Sequence, residues 1–134
     1  MARPKLTRKI LSPPKMAGFK PFGIASCKSE PVIIKLEEYE SLKLINYEQL
    51  SQDLAAERMN ISRPTFTRIY NRALSQIAKS LVEGTALLIK GGSFELEKEW
   101  YRCRKCFKLI EGIENHLKCK DCPCYSENEL VRID

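Results

Sequence analysis

The sequence predicts a mainly α protein: a helix-turn-helix helical domain, preceded by a basic N-terminal arm and followed by a short β-hairpin and a small cysteine-bearing β module at the C-terminus. Three observations predict it. Apolar residues recur at steps of three and four from Phe66 to Val82, the run Ile61-Ser62-Arg63-Pro64 stands directly before them, and five of the six cysteines fall between residues 103 and 124. A chain of 134 residues holds about one core with a small appendage. The division we read is 1–30 for the arm, 31–92 for the helical domain with its following strands, and 93–134 for the cysteine module.

Residues 1–30 carry four prolines and two glycines without an amphipathic period, which predicts an extended or irregular arm. Ile10, Phe19 and Phe22 are its candidate anchors. From Leu36 to Ile45, Leu36, Tyr39, Leu42 and Ile45 share one helical face while Glu37, Glu38, Glu40 and Lys43 fall elsewhere, the pattern of a short amphipathic helix. Ser51 is placed to cap a second helix with Leu54, Ala55 and Met59 facing inward, and Asn46 with Gln49 is an alternative cap.

The third helix has the clearest start. Ser62 accepts from the free amides of the first turn, Pro64 sits where a missing N–H is harmless, and Ile61 and Phe66 occupy the two positions of a hydrophobic staple. Phe66, Ile69, Tyr70, Ala73, Leu74, Ile77, Leu81 and Val82 then trace one apolar stripe up to Gly84. Opposite it lie Pro64, Arg68, Asn71, Arg72 and Ser75, with Thr65 and Thr67 at the margins. Beyond the helix, residues 86–97 give two short β-prone runs around Gly91-Gly92, the glycine pair that a two-residue turn can use, which predicts a hairpin or a pair of short strands.

Two short helices joined by a tight turn form the unit whose second helix enters the DNA major groove. Ala56 is the small residue at the helix crossing, and Asn60 tolerates the left-handed conformation that the turn needs. Arg63 and Arg68 suit a guanine edge, Asn71 an adenine, and the methyls of Thr65 and Thr67 a thymine methyl. Arg63, Thr65, Thr67 and Arg68 rank above Asn71 and Arg72, which lie further along the helix. Ser51 and Gln52, at the start of the preceding helix, are candidates for phosphate contact.

Charge distribution supports a polyanionic partner. The first 20 residues hold Arg3, Lys5, Arg8, Lys9, Lys15 and Lys20 with no acid, and residues 63–82 hold four bases with no acid. Residues 21–62 carry seven acids against four bases. Positive charge confined to an arm and one helix points to DNA more than to solubility alone, with Arg3, Lys5, Arg8 and Lys9 tracking phosphates or entering a minor groove.

The stretch from Leu36 to Gly92 resembles the promoter-reading helix-turn-helix at the C-terminal end of sigma factors. More closely, "ARPKLTRKI", "FKPFG" and above all "SRPTFTRI" resemble the uncharacterised protein family 0251, also called domain of unknown function 134, over about the first two-thirds of the chain. Gln49 and Asn60 depart from it at positions where glycine is common. The resemblance implies DNA binding and an arm that belongs to the same unit; it supplies no target.

The cysteines form Cys103-x2-Cys106 and Cys119-x2-Cys122, twelve residues apart. Each pair turns tightly enough to aim two thiolates at one metal, and two pairs make the tetrahedral sulfur set that zinc prefers. Four protein ligands would close the site, so its expected role is structural, in a zinc-ribbon-like module with strands at "EWYRC" and "LVRID". Iron or an iron–sulfur cluster is the alternative occupant, and His116 or Cys124 an alternative ligand in place of Cys122.

The resulting expectation is a sequence-specific DNA-binding protein, a transcriptional regulator, acting as a homodimer on a two-fold site. The rival readings are a sigma-like adaptor that contacts RNA polymerase or another protein, and a metal- or redox-sensing regulator. An enzyme is not expected: the chain has one histidine, no nucleophile elbow and no glycine-rich phosphate loop. No membrane span is expected either, because its longest aliphatic runs fall far short of about 20 residues. Pro4, Pro13 and Pro14 interrupt the only candidate for a secretory signal, which predicts a cytoplasmic protein.

Overall fold

The computed structural model describes residues 8–25, 29–92, 94–96, 98–103, 109–111 and 130–133. Along the chain run β1 (Arg8–Ile10), β2 (Gly18–Phe19), β3 (Val32–Ile34), α1 (Leu36–Leu42), a π-helical turn (Lys43–Tyr47), α2 (Gln52–Arg58) and α3 (Arg63–Glu83). They are followed by β4 (Leu87–Ile89), β5 (Phe94–Leu96), β6 (Trp100–Cys103), β7 (Leu109–Glu111) and β8 (Leu130–Ile133). This is a mixed α/β arrangement, not a mainly α one. The helices fall where the periodicity puts them, but short segments of the arm and of residues 87–96 become strands by pairing with partners distant in sequence.

β4 is the centre of a three-stranded sheet, antiparallel to β2 and parallel to β3, with Val32 opposite Leu87 and Ile34 opposite Ile89. Parallel neighbours require a long crossover, and here all three helices form it. The expectation around Gly91-Gly92 is met as a pair of short strands and not as a hairpin: β4 pairs with β2 and β3, and β5 pairs in parallel with β1, Arg8 opposite Phe94 and Ile10 opposite Leu96. The glycines do turn the chain, with φ of 76° and 103°. They carry it past the start of α1, where Gly91 O accepts from Leu36 N at 3.0 Å and a Cβ on Gly92 would stand 3.1 Å from Lys35 Cβ.

The arm is not wholly an appendage. Ile10 is buried with Pro13 and Pro14, and the Lys9 amide donates to Met59 O at the end of α2. Of its expected anchors only Ile10 serves; Phe19 and Phe22 are exposed.

α1 buries more than the expected face. Glu37, Glu38, Glu40 and Ser41 are buried with Leu36, whereas Tyr39 and Leu42 are half-buried. The carboxylates tolerate this because each has a cation: Arg8 lies 3.2 Å from Glu37, Arg72 2.7 Å from Glu38, and Lys43 3.2 Å from Glu40. A buried charge is tolerated only when paired.

α2 and α3 close over Leu44, Ala55, Ala56, Met59 and Phe66, flanked by Ile45, Leu50, Ile61 and Tyr70. The Phe66 and Tyr70 rings stack at 6.2 Å. Leu54, expected to face inward, is exposed. The apolar stripe of α3 also divides: Phe66 and Ala73 are buried and Ile69, Tyr70 and Ile77 half-buried, but Leu74, Leu81 and Val82 are exposed.

β6 forms a second three-stranded sheet, antiparallel to both β7 and β8, so the strands expected at the C-terminal end are present. Arg102 ties this sheet to the arm by donating to Pro14 O and Lys15 O, both at 2.7 Å. Among the described residues no helix is long and apolar enough to cross a membrane.

Candidate nucleic-acid interface

The α2–turn–α3 unit is built from three local devices. Ser51 caps α2 by accepting from Leu54 N at 3.2 Å, so the alternative cap at Asn46 is not used; Gln49 Nε2 donates instead to Asn46 O. Ser62 caps α3, accepting from Thr65 N and donating to Thr65 Oγ1 at 2.9 Å, with Pro64 in the first turn. Between them Asn60 takes a φ of 57°, the left-handed conformation, and Ile61 reaches back onto the core beside Phe66. Gln49, with φ of 60°, and Asn60 are the two non-glycine residues with positive φ among those described. They are the two positions where the resemblance expects glycine. The backbone demand is thus retained while the residue type is not.

α3 ends as cleanly as it begins. Gly84 adopts φ 67° and ψ 40°, and Ser80 Oγ donates to Thr85 O at 2.7 Å. The left-handed residue at this position is a common helix stop.

On the outer surface of α3, Arg63, Pro64, Arg68, Asn71 and Ser75 are exposed. Among the described residues Arg68 hydrogen-bonds to the carbonyl of Pro64, Nε to O at 3.4 Å, and Arg63 lies 3.4 Å from the exposed Asp53 of α2. Both guanidinium groups therefore stand in solvent with weak restraint. Exposed pairs of this kind are worth little, about 0–1 kcal/mol, and release at small cost to a stronger anion.

Other residues expected at the interface have structural partners. Thr67 Oγ1 donates to Gln52 Oε1 at 2.5 Å, joining α3 to α2 and engaging both side chains. Arg72 Nη1 lies 2.7 Å from each carboxylate oxygen of Glu38, whose other contact is the Lys35 amide at 3.0 Å. Arg72 thus fastens α3 to α1, its guanidinium already paired with a carboxylate. Arg8 is likewise paired: its side chain is largely buried against Glu37. Lys9 is exposed on β1. Arg3 and Lys5 lie outside the described residues.

Glu38 was invisible as a functional residue in the sequence, since its partner is 34 positions away and no local pattern marks the pair. Glu40 is pushed above its ordinary carboxyl value, first by burial, while Lys43 and a hydrogen bond from the Leu11 backbone amide oppose the shift.

The cysteines bear on a second site. Cys103 ends β6, whose Arg102 pairs with Leu109 of β7. Cys106, Cys119, Cys122, His116 and Cys124 lie outside the described residues, as does the side chain of Cys103.

The chain matches the family model described as "Protein of unknown function DUF134" over residues 1–97. A UPF0251 protein of Chloroherpeton thalassium is 40% identical over 129 residues, covering 96% of this chain and 85% of that protein. One from Desulforudis audaxviator is 40% identical over 131 residues, covering 98% and 86%, and one from Methanothermobacter thermautotrophicus is 39% identical over 123 residues, covering 91% and 64%. No solved structure matches.

Proposed function

The chain belongs to the DUF134 family, and from that premise we propose that it is a sequence-specific double-stranded DNA-binding protein, a transcriptional regulator whose α3 enters the major groove. One observation carries the reading. A doubly capped helix pair with a left-handed turn residue at Asn60 presents Arg63, Pro64, Arg68 and Asn71 outward from a helix that has no acid between residues 63 and 82.

Arg63 and Arg68 are the base readers in this proposal, with Asn71 beside them. Thr67 and Gln52 hold the spacing between the helices, and Arg72 holds α3 on α1. Lys9, with Arg3 and Lys5 ahead of it, supplies phosphate contact and salt-dependent affinity. Ser51 keeps a hydroxyl proton for a phosphate while its oxygen caps α2. The chain acts by binding, not catalysis.

Cys103, Cys106, Cys119 and Cys122 would hold a zinc ion that fixes the C-terminal module, since four thiolates leave no open coordination position. Iron would satisfy the same donor set.

Selection from a randomised duplex library at about 0.15 M salt, with the retained DNA sequenced, tests the reading. A recurring motif is expected, and Arg68→Ala should lose about 1–3 kcal/mol of discrimination between that motif and random DNA without loss of fold. Recovery of only salt-sensitive background would reject sequence reading and favour the adaptor that contacts RNA polymerase.

A further inference from the structure

The exposed face of α3 changes chemistry along its length. Its N-terminal half presents Arg63, Arg68 and Asn71, whereas from Leu74 onward the exposed surface includes Leu74, Ala78, Leu81 and Val82, with Leu81 78% and Val82 86% open to solvent. Ile24, itself exposed, sits beside the helix end, its Cδ1 3.2 Å from where a Cβ on Gly84 would be. An apolar face of this kind is a mark of an interaction surface.

We propose that this face is where a second copy of the chain docks, the two α3 helices crossing antiparallel about Ala78. Geometry selects the occupant. At about 100° per residue, Leu74, Ala78 and Leu81 centre roughly 80° around the axis from Pro64, Arg68 and Asn71. A two-fold axis along the DNA-facing direction then places the partner at the helix's side and leaves both reading faces pointing the same way.

The register is self-complementary, as an isologous interface must be. Leu74 meets the second copy's Leu81 and the reverse, with the small Ala78 between them allowing close approach. Lys79 projects from a different part of the helix surface, so no charge is buried. The axial positions agree as well: the reading residues lie about ten positions, or about 15 Å, before the crossing. With helix axes about 9 Å apart, the two reading faces stand about 31 Å from each other. This is within a few ångströms of the 34–36 Å that separates successive major-groove faces of one side of the duplex. That spacing, unlike the apolar face itself, rests on the DNA-binding reading.

A contact centred on one helix pair buries less than the roughly 800 Å² per partner of a standard interface, so the dimer should be weak and visible only with rising concentration. Sedimentation velocity of the full chain without DNA, from roughly 1 µM to 1 mM, tests it. The wild type should move from monomer toward dimer across that range, and Leu81→Glu should remain monomeric with an unchanged far-UV circular dichroism spectrum. A wild type that stays monomeric throughout overturns the proposal and leaves the face to a different protein, and equal dimerisation of Leu81→Glu overturns it too. Because no DNA is present, a dimer that binds no motif would reject the reading helix and leave this interface standing.

Discussion

Replacing Arg72 by Met separates a fold residue from a reading residue. The substitution removes a guanidinium 2.7 Å from both carboxylate oxygens of Glu38, a side chain only 2% exposed. Breaking a buried pair from one side costs about 3–5 kcal/mol because the remaining charge is stranded. Arg72 is half exposed, so water reaches part of the site, and we expect about 2–3 kcal/mol. For a chain of this size that is a fall in Tm of about 10 °C. Urea denaturation followed by circular dichroism measures it. DNA discrimination, assayed where the variant is folded, should be close to wild type. Adding Glu38→Gln should recover part of the loss, since the stranded group is then neutral. A variant within about 0.5 kcal/mol of wild type that nevertheless lost discrimination would refute the assignment and make Arg72 a base contact.

Three further outcomes follow from other sites. Burial raises the Glu40 carboxyl above its ordinary value, so the folded state holds that proton more tightly than the unfolded one. Its contribution to stability is present below the ordinary carboxyl range and is lost as pH rises through the raised value. Glu40→Gln should flatten that limb of a stability–pH curve, and an unchanged slope would assign the effect elsewhere. Asn60→Val should cost about 1–3 kcal/mol by forcing a β-branched residue to φ 57°, while Asn60→Gly should be near neutral, both read by urea midpoint. Purified protein should carry close to one zinc or iron per chain by elemental analysis, and Cys103→Ser with Cys106→Ser should abolish it; full metal content in that double variant would move the ligands to other residues.

What the sequence made legible is what local chemistry dictates. Both helix caps, the left-handed turn at Asn60, the staple of Ile61 onto Phe66 and the Gly84 stop each depend on residues within a few positions of one another, and all are present. The errors arise from pairing at a distance. Nothing near Gly91-Gly92 announces that β4 pairs with β3 across 52 residues of helix and turn, or that β5 pairs with β1. The burial of the α1 glutamates is illegible for the same reason. A hydrophobic pattern counts glutamates as outward-facing, and only the three-dimensional placement of Arg8, Arg72 and Lys43 makes their burial tolerable. On α3 the periodicity marks the large apolar residues but carries no information on which of them has something to pack against. That is why the buried stripe and the exposed one were read as a single face.

The acidic segment between the two basic ones consequently has a use beyond spacing. The sequence offers seven cations to DNA: Arg3, Lys5, Arg8, Lys9, Arg63, Arg68 and Arg72. If all met phosphates, affinity would fall with salt at a log–log slope of about −6, at about −0.9 per neutralised phosphate. Glu37 holds Arg8 and Glu38 holds Arg72, which leaves five cations and an upper bound near −4.5. The difference is measurable by fluorescence anisotropy between about 50 and 200 mM salt. A slope near −4.5 or shallower fits α1 as a fixed internal counter-charge that orients α3. A slope near −6 would mean that both pairs open on DNA, so that the duplex competes with α1 for Arg8 and Arg72. Glu37→Gln would then tighten binding instead of leaving it unchanged.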